Sequence, residues 1–461
     1  MIVKAVMVPH PPIAVREVGR GEEKKIQKTL DAYEQAMQEV ADAAPDTIII
    51  SSPHATMYRD YFQISSGDQA YGDLAQFNAG GVRFEIAYDE ELTRRITELL
   101  SKEGIPGGTE YERDRMLDHG TMVPLYFLRN NVKRFRYVRI GLSGLPLDMH
   151  YQLGQAAAQA AEQLGRRIAW VASGDLAHCQ KQDGPYGYQP EGPEYDARIM
   201  DTMGRGAFGE LLEYDENFCQ KAMECGHRSF VMMAGALDRT DVTPHVLSHE
   251  NTFGVGYGVV VYDIGGPDAK RNFLDQYEQK EADKASRLAE KEDAYVCLAR
   301  QSLTSWVRDR RILKTPEDLP EALLKTRAGA FVSLHEHGSL RGCIGTIAAT
   351  RRSLAEEIIH NAVSACSRDP RFEPVEAKEL PFLEISVDVL GDAEPVASAE
   401  ELDPRRYGVI VRKDQRQGLL LPDLDGVDTA DQQIRIACSK AGIDPEETGI
   451  ELSRFEVVRH V

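Results

Sequence analysis

The first 264 residues alternate short apolar runs with amphipathic segments, and this alternation limits the folds open to the chain more than any other feature. Apolar runs predict strands, and apolar residues three or four positions apart predict helices. Strands that alternate with helices are typical of a mainly parallel sheet covered by helices on both faces. The predicted strands cover residues 2–8, 47–50, 137–142, 168–172 and 255–264, and the predicted helices cover 23–43, 90–102 and 152–164.

The segment after residue 264 has a different composition. It opens with two glycines and a proline and is then rich in charged residues, which is typical of a domain boundary that leads into a helix. Beyond it, short strands at hairpin-like spacing and a few helices indicate a smaller α+β domain. A length of 461 residues fits two domains. We predict a first domain over 1–265, a linker over 266–285 and a second domain over 286–461.

Charge and cysteine usage exclude several classes of protein. The net charge is −20, so neither nucleic acid nor an anionic membrane surface is expected as a partner. The seven cysteines form no CxxC pair, which argues against a zinc ribbon and a disulfide framework. No apolar run approaches the roughly 20 residues that span a membrane. We therefore expect a protein of the reducing cytoplasm.

Polar residues that could bind a metal or take part in catalysis follow three of the predicted strands. "VMVPHPP" places His10 after the first strand, and "IIISSPHA" repeats the order of strand, proline and histidine at His54. "WVASGDLAH" ends a third strand with Asp175 and His178. In open α/β sheets, ligands bind outside the carboxyl ends of the strands. We expect these side chains to meet at one edge of the sheet.

Two neutral imidazoles at adjacent strand ends suggest a pair of metal ligands. Two histidines and one carboxylate bind Fe(II) and leave positions open for substrate and dioxygen. Glu224 in "KAMECGHRSF" and Glu250 in "LSHENTFG" are candidates for the carboxylate. His119 in "LDHGTMVPLYFL" is a further histidine in a polar, turn-like setting.

The segments "VPHPP", "SPHA", "DHGTMVPL" and "SGDLAH", in this order, resemble the LigB-type class III extradiol dioxygenases and the related Memo proteins. The resemblance spans about residues 1–264 and implies a twisted α/β sheet with a non-haem iron. By this resemblance, His10 and His54 are metal ligands. The resemblance also implies that His178 is the catalytic acid–base residue and that His119 lines the substrate pocket.

The third metal ligand has two candidates that are adjacent in sequence. In LigB-type enzymes a glutamate fills the role, which matches Glu224, and this is the preferred assignment. In Memo proteins a cysteine in a "CG" context fills it, which matches Cys225. Asp175 lies three residues before His178, and we expect it to orient that imidazole.

A second motif, "LRGCIGT" at residues 340–346, lies in the C-terminal half. With "SRDPRFEPVEAKEL" and "LEISVDVL" it resembles the AMMECR domain family over residues 286–461. Cys343 beside Arg341 suggests either an activated thiolate or a surface that binds a ligand. The alternative is a buried cysteine, with Arg341 paired to Asp369 or a nearby glutamate.

These observations together predict a metal-dependent extradiol-type dioxygenase fused to an AMMECR domain. Fe(II) is the expected metal, with Zn and Cu as alternatives, and the substrates are a small catechol-like aromatic and dioxygen. The two halves together resemble a set in which AMMECR-type, Memo-type and radical S-adenosylmethionine proteins occur together, so the resemblance implies a radical S-adenosylmethionine protein as a possible partner. Such a protein would be a separate partner here, because the chain has no CxxxCxxC motif. The alternatives are a Memo-like redox scaffold and a zinc metallohydrolase, and the oligomeric state stays open.

Overall fold

The structure is a computed structural model that describes residues 1–112, 115–336, 338–424 and 426–461. The chain divides into two compact units, Met1–Tyr277 and Glu278–Val461. The residues of the predicted linker form a short 3-10 turn and most of a helix, and the boundary between the units lies within that helix. Each unit is described separately below.

The first unit contains one eight-stranded sheet with helices between most of its strands. The strand order is β4-β5-β7-β2-β8-β1-β10-β9, and a two-stranded sheet joins β3 to β6. The elements are β1 (Ile2–Val8), α1 (Arg16–Gly19), α2 (Gln27–Asp42), β2 (Thr47–Ser52), β3 (Phe62–Gln63), β4 (Gln69–Leu74), β5 (Ala79–Tyr88), α3 (Glu90–Lys102), β6 (Gly107–Gly108), α4 (His119–Leu128), β7 (Arg136–Gly141), α5 (Leu147–Gln163), β8 (Ile168–Ser173), α6 (Glu191–Arg205), α7 (Glu216–Ala222), α8 (His227–Ala236), β9 (Thr240–Glu250), β10 (Tyr257–Pro267) and α9 (Phe273–Ala289).

The five central strands β5, β7, β2, β8 and β1 are parallel, and the strands outside them pair antiparallel. Alternate residues of one strand pack into two different cores. On β8, Trp170 packs in the core with α3, α5 and α8, while Ala169 and Val171 pack in the core with α2 and α4. Both faces are therefore covered by helices, which explains why β1, β2 and β8 are buried along almost their whole length.

The predicted α/β class of the first domain is confirmed. The predicted helix over 90–102 coincides with α3, and Gly165 has a φ of 64°, as expected of a glycine that ends a helix. The predicted helix over 23–43 begins instead with a 3-10 segment, Glu22–Ile26, before α2. The sequence analysis did not predict the antiparallel pair of β4 and β5.

The second unit has two four-stranded antiparallel sheets, which agrees with the predicted α+β class. The strand orders are β12-β11-β13-β18 and β14-β17-β15-β16. The elements are α10 (Ala294–Asp309), α11 (Glu321–Lys325), β11 (Ala330–Glu336), β12 (Ser339–Gly345), α12 (Leu354–Ser367), β13 (Leu383–Leu390), β14 (Glu394–Val396), β15 (Gly408–Lys413), β16 (Arg416–Leu420), α13 (Ala430–Ala441), β17 (Glu451–Phe455) and β18 (Val457–His460).

We also searched the helices for a membrane span. Among the described residues, none combines the length and the apolar character that a bilayer crossing requires.

Candidate metal centre

The strand ends of the first unit bring His10 and His54 together. β8 lies between β1 and β2 in the sheet, so the two histidines come from strands on either side of it. Their Nε2 atoms are 3.0 Å apart, and the rings meet edge to face. His10 is buried, while His54 is exposed, so the pair lies at a surface that a small molecule can reach.

His119 joins this pair and completes a group of three candidate metal ligands. One nitrogen from each of the three imidazoles lies within 4.8 Å of the others. The His119 ring lies 3.9 Å from that of His54 and 5.5 Å from that of His10, measured between centroids. The sequence analysis placed His119 in the substrate pocket, and the structure places it among the candidate ligands as well.

The first turn of α4 positions His119. Asp118 caps this helix: its carboxylate accepts hydrogen bonds from the Thr121 amide and from the hydroxyl of Ser52, the latter at 2.5 Å. The Ser52 hydroxyl in turn accepts the His54 amide at 3.3 Å. Asp118 therefore links the helix that carries His119 to the turn that carries His54.

Glu224, the preferred third ligand, points elsewhere. Its Oε2 accepts the His227 amide at 2.6 Å, at the start of α8. An anionic side chain is favoured there because the first amides of a helix lack partners within the helix. The alternative, Cys225, has its Sγ 3.6 Å from His10 Nε2. The geometry thus favours Cys225 over Glu224 as a neighbour of the histidines.

Asp175 also has a different contact from the expected one. We predicted that it orients the His178 imidazole, but its Oδ1 accepts the backbone amide of His10 at 2.7 Å. This contact fixes the turn that follows β1. Asp175 lies two residues after the end of β8, and β8 is paired with β1, so its carboxylate is close to the turn that carries His10.

His178 lies beside the three histidines and carries an unsatisfied nitrogen. Its Nε2 is buried and has no hydrogen-bond partner among the described residues. Its ring stacks on exposed Tyr186 at 5.2 Å, and Phe77 meets the His119 ring edge to face at 5.4 Å. A buried polar atom without a partner costs free energy. This nitrogen is therefore suited to a hydrogen bond with a bound molecule.

Burial keeps all four imidazoles neutral near pH 7. Burial, together with the smaller effect of the neighbouring His54, lowers the pKa of His119 and that of His178 to about 4. It also lowers the pKa of His10 and that of His54 below their ordinary value. A neutral imidazole is the form that binds a metal ion, so this cluster needs no deprotonation of histidine to do so.

The donor set fits a transition-metal ion. Two nitrogens bound to one ion at about 2.1 Å are about 3.0 Å apart at a right angle and about 3.4 Å apart in tetrahedral geometry. A nitrogen at about 2.1 Å and a sulfur at about 2.3 Å are about 3.6 Å apart in tetrahedral geometry. The observed His10–His54 and His10–Cys225 separations are 3.0 Å and 3.6 Å. Both separations are short enough for the two groups of each pair to bind one ion.

The sequence analysis missed the hydroxyls at the strand ends. Ser52 is the last residue of β2, and its hydroxyl accepts the His54 amide. Ser173 is the last residue of β8, and its hydroxyl contacts the His10 ring at Nδ1. A signal was available, since a serine precedes the polar residues in both "SSPHA" and "ASGDLAH". Serine is common in turns, so that signal was not specific.

The "LRGCIGT" motif of the second unit forms β12, and Arg341 makes an ion pair there. Its Nε donates to Glu379 Oε1 at 2.6 Å, its NH2 donates to Glu379 Oε2, and its NH1 donates to the Glu373 carbonyl. Only 16% of the Arg341 side chain is exposed. The structure thus favours the alternative in which Arg341 pairs with a nearby glutamate.

Cys343 is held through its peptide group. Its amide donates to Asp369 at 2.9 Å, and its carbonyl accepts from Arg371, which is itself paired with Asp369. Its thiol accepts the hydroxyl hydrogen of Ser333 on β11 at 3.2 Å. The adjacent Gly342 packs against α12, where an added Cβ would lie 2.3 Å from the Ala365 carbonyl. Internal packing therefore accounts for this glycine.

Replacing Arg341 with alanine should destabilise the second unit by about 2 kcal/mol, since a largely buried carboxylate would lose its charged donors. Urea unfolding followed by Trp306 fluorescence, in a Trp170→Phe background, measures this loss. Arg352→Ala, at an exposed arginine, is the control and should change stability little. Equal stability of the Arg341→Ala variant and the parent would contradict a structural role and restore the ligand-binding hypothesis.

The fold and the site together define a class: an α/β domain with a histidine cluster for a metal at the carboxyl ends of its strands. Residues 4–260 match the family model described as the catalytic LigB subunit of aromatic ring-opening dioxygenase. Residues 296–460 match the AMMECR1 family. The chain belongs to the LigB family and carries an AMMECR1 domain after the LigB domain.

Relatives share one or both domains. A protein of Clostridium acetobutylicum is 40% identical over 462 residues, which is 98% of each chain. A Thermotoga maritima protein is 49% identical over 170 residues, covering 37% of this chain and 98% of its own. Among solved structures, an uncharacterised Pyrococcus horikoshii protein is 28% identical, with a TM-score of 0.34, over 36% of this chain and 88% of its own. An uncharacterised Escherichia coli protein is 15% identical, with a TM-score of 0.39, over 56% of this chain and 99% of its own.

Proposed function

We propose that the LigB domain is a metal-dependent oxidoreductase of the extradiol type, acting on a catechol-like aromatic with dioxygen. The observation that carries the proposal is the convergence of His10, His54 and His119 beside the unpartnered Nε2 of His178. A bound non-haem Fe(II) would supply a Lewis acid for a substrate hydroxyl and the redox chemistry with dioxygen. The family membership supports this proposal at the level of the fold.

The residues around the cluster suit such a substrate. His178 is neutral at pH 7 and can accept the proton that a phenolic hydroxyl loses. The rings of Phe77 and Tyr186 flank His119 and His178, and they can contact a planar aromatic molecule. Asp175 and Asp118 hold the backbone around His10 and His119, so the imidazoles keep their positions while a ligand binds.

The test combines metal analysis with turnover. Protein purified without oxygen should contain about one iron per chain, or take up one Fe(II), and should then consume dioxygen when a catechol is added. Formation of a ring-opened product, detected by its absorbance and mass, is the expected result. A protein that binds iron stoichiometrically but consumes no dioxygen with any of a series of catechols would contradict the dioxygenase proposal.

A second candidate is a Memo-like redox metal centre that does not cleave rings. The observation that favours it is the Cys225 thiol, 3.6 Å from His10 Nε2, in the place where a dioxygenase would present a carboxylate. Thiolate and imidazole together suit Cu(I) and Zn(II) at least as well as Fe(II). The identity of the third ligand therefore separates the two candidates.

At pH 8 the binding of Zn(II) should release about one proton if Cys225 is a ligand. Burial raises the pKa of Cys225 well above its ordinary value, so the thiol is protonated before the metal binds. The pKa values of His10, His54 and His119 are lowered, so these groups have no proton to release. Burial raises the pKa of Glu224 to about 7, so its carboxyl is mostly ionised at pH 8.

Calorimetry of Zn(II) binding in buffers of different ionisation enthalpy counts these protons. Because a Zn(II)-bound water can also release a proton at this pH, the diagnostic quantity is the difference between variants: Cys225→Ala should lower the count by about one and weaken binding, whereas Glu224→Gln should leave the wild-type count unchanged. Because thiol ionisation is coupled to binding, the affinity of the wild-type protein should also rise about tenfold per pH unit near pH 8. If the wild-type protein released no proton on binding Zn(II), the Cys225 thiolate would be ruled out as a ligand.

A further inference from the structure

The hydroxyl of Ser173 contacts two groups at the centre of the site. It lies 2.6 Å from the carbonyl oxygen of Gly120 and 3.0 Å from Nδ1 of His10. A carbonyl oxygen can only accept, so the single hydroxyl hydrogen of Ser173 is donated to Gly120. The Ser173 oxygen is then the acceptor toward His10, and His10 Nδ1 must carry the hydrogen.

This assignment decides what the other ring nitrogen of His10 can do. In a neutral imidazole only one nitrogen carries a hydrogen, so Nε2 of His10 has a free lone pair. Nε2 is the atom that lies 3.0 Å from His54 Nε2 and 3.6 Å from Cys225 Sγ. The lone pair is therefore at the centre of the candidate ligands, where a metal ion would need it.

We propose that Ser173 is a positioning residue that holds His10 in the tautomer competent to bind a metal. This inference rests on the proposed metal centre. Because Gly120 directly follows His119, the same hydroxyl also joins the ring of His10 to the first turn of α4. Ser173 would thus set both the protonation pattern of one ligand and the position of the helix that carries another.

The surroundings give Ser173 little freedom to rotate or move. It is fully buried at the end of β8, which is paired with β1 on one side and β2 on the other. Gly120 is packed as tightly, since an added Cβ there would lie 2.4 Å from the Ser52 hydroxyl oxygen. The acceptor for the Ser173 hydroxyl hydrogen is therefore constant, and so is the direction of the hydrogen bond to His10.

Nitrogen NMR of metal-free protein labelled with ¹⁵N-histidine measures the tautomer directly. The His10 signals are identified by their loss in His10→Gln. In the wild-type protein Nδ1 should be protonated and Nε2 unprotonated. In Ser173→Ala, Nδ1 has lost its acceptor while Nε2 still faces His54, so the Nε2-protonated form should become substantially populated.

The second measurement is affinity for Zn(II) alone, by competition with a chromophoric chelator. Ser173→Ala should weaken binding by about 10- to 100-fold, the range typical of residues that orient a metal ligand. Ser229→Ala is the matched control, because Ser229 is equally buried and its hydroxyl pairs with Ser51 on β2. The control should leave both the tautomer and the affinity unchanged.

The two measurements separate this inference from the proposed function. A wild-type His10 protonated on Nε2 would overturn the role of Ser173, even if Ser173→Ala does not fold. Equal Zn(II) affinity of Ser173→Ala and the wild-type protein would overturn it as well. If the wild-type protein has the expected tautomer, Ser173→Ala changes it, and neither binds metal, the proposed metal centre fails while the hydrogen-bonding role of Ser173 stands.

Discussion

Replacement of His10 with alanine is expected to abolish stoichiometric metal binding, and replacement of His54 should do the same. His10 provides the nitrogen that lies nearest to both His54 and Cys225, so its removal takes away the centre of the donor set. The loss of affinity should exceed the roughly 10- to 100-fold typical of residues that only support a ligand. Metal analysis and titration with Fe(II) or Zn(II) measure it.

A surface histidine provides the control for this loss. His245 lies on β9, pairs with Asp263 and is about half exposed, so His245→Ala should keep the metal. Circular dichroism should show that the His10 and His54 variants keep their secondary structure. Unchanged metal content in both variants would refute a metal centre at the ends of β1 and β2.

Replacement of His178 with alanine is expected to reduce turnover by about 100- to 10,000-fold while the metal stays bound. This range is typical of a general acid–base residue. His178 is not in the group of three histidines whose nitrogens lie within 4.8 Å of one another, and its buried Nε2 has no partner among the described residues. In the proposed function it would contact the substrate. Dioxygen uptake with the catechol used for the wild-type protein measures the effect.

Two outcomes would contradict this role. Loss of the metal from His178→Ala would place the residue among the ligands. Retention of both metal and full turnover would show that the proton leaves by another route. His245→Ala again serves as the control. It removes an imidazole from β9 of the same domain, and His245 is not in the group formed by His10, His54 and His119.

Much of the fold of the first domain could be predicted, because the features that specify it are local. A strand buried on both faces must be apolar along its length, and a helix that covers a sheet must be apolar on one side. The runs around Val6, Ile49 and Trp170 and the stripe of α3 satisfy these conditions. The β4–β5 hairpin was missed because neither strand contains a continuous apolar run like those of the buried central strands.

The meeting of His10 and His54 could also be anticipated. Parallel strands present their carboxyl ends at the same edge of a sheet, so residues that follow such strands are brought together by the strand direction alone. Nothing in the sequence states that β8 lies between β1 and β2, however. That strand order is why Asp175 contacts the His10 amide.

The choice between Glu224 and Cys225 as a candidate metal ligand depends on the direction of each side chain. Adjacent residues in a turn direct their side chains differently. The start of α8 draws the Glu224 carboxylate to its free amides and leaves the Cys225 thiol facing His10. Arg341 is a similar case, since its glutamate partner lies 38 residues away in sequence. A contact of this kind is formed only when separate segments pack together.

The amino-acid sequence by itself determined the classes of the two domains and which histidines follow buried strands, because periodicity and strand direction are properties of short segments. Only the tertiary structure decided which donor accompanies the histidines and which hydroxyl contacts His10 Nδ1. Those outcomes depend on hydrogen bonds between residues far apart in the chain, such as Ser173 with Gly120, whose directions are set by packing.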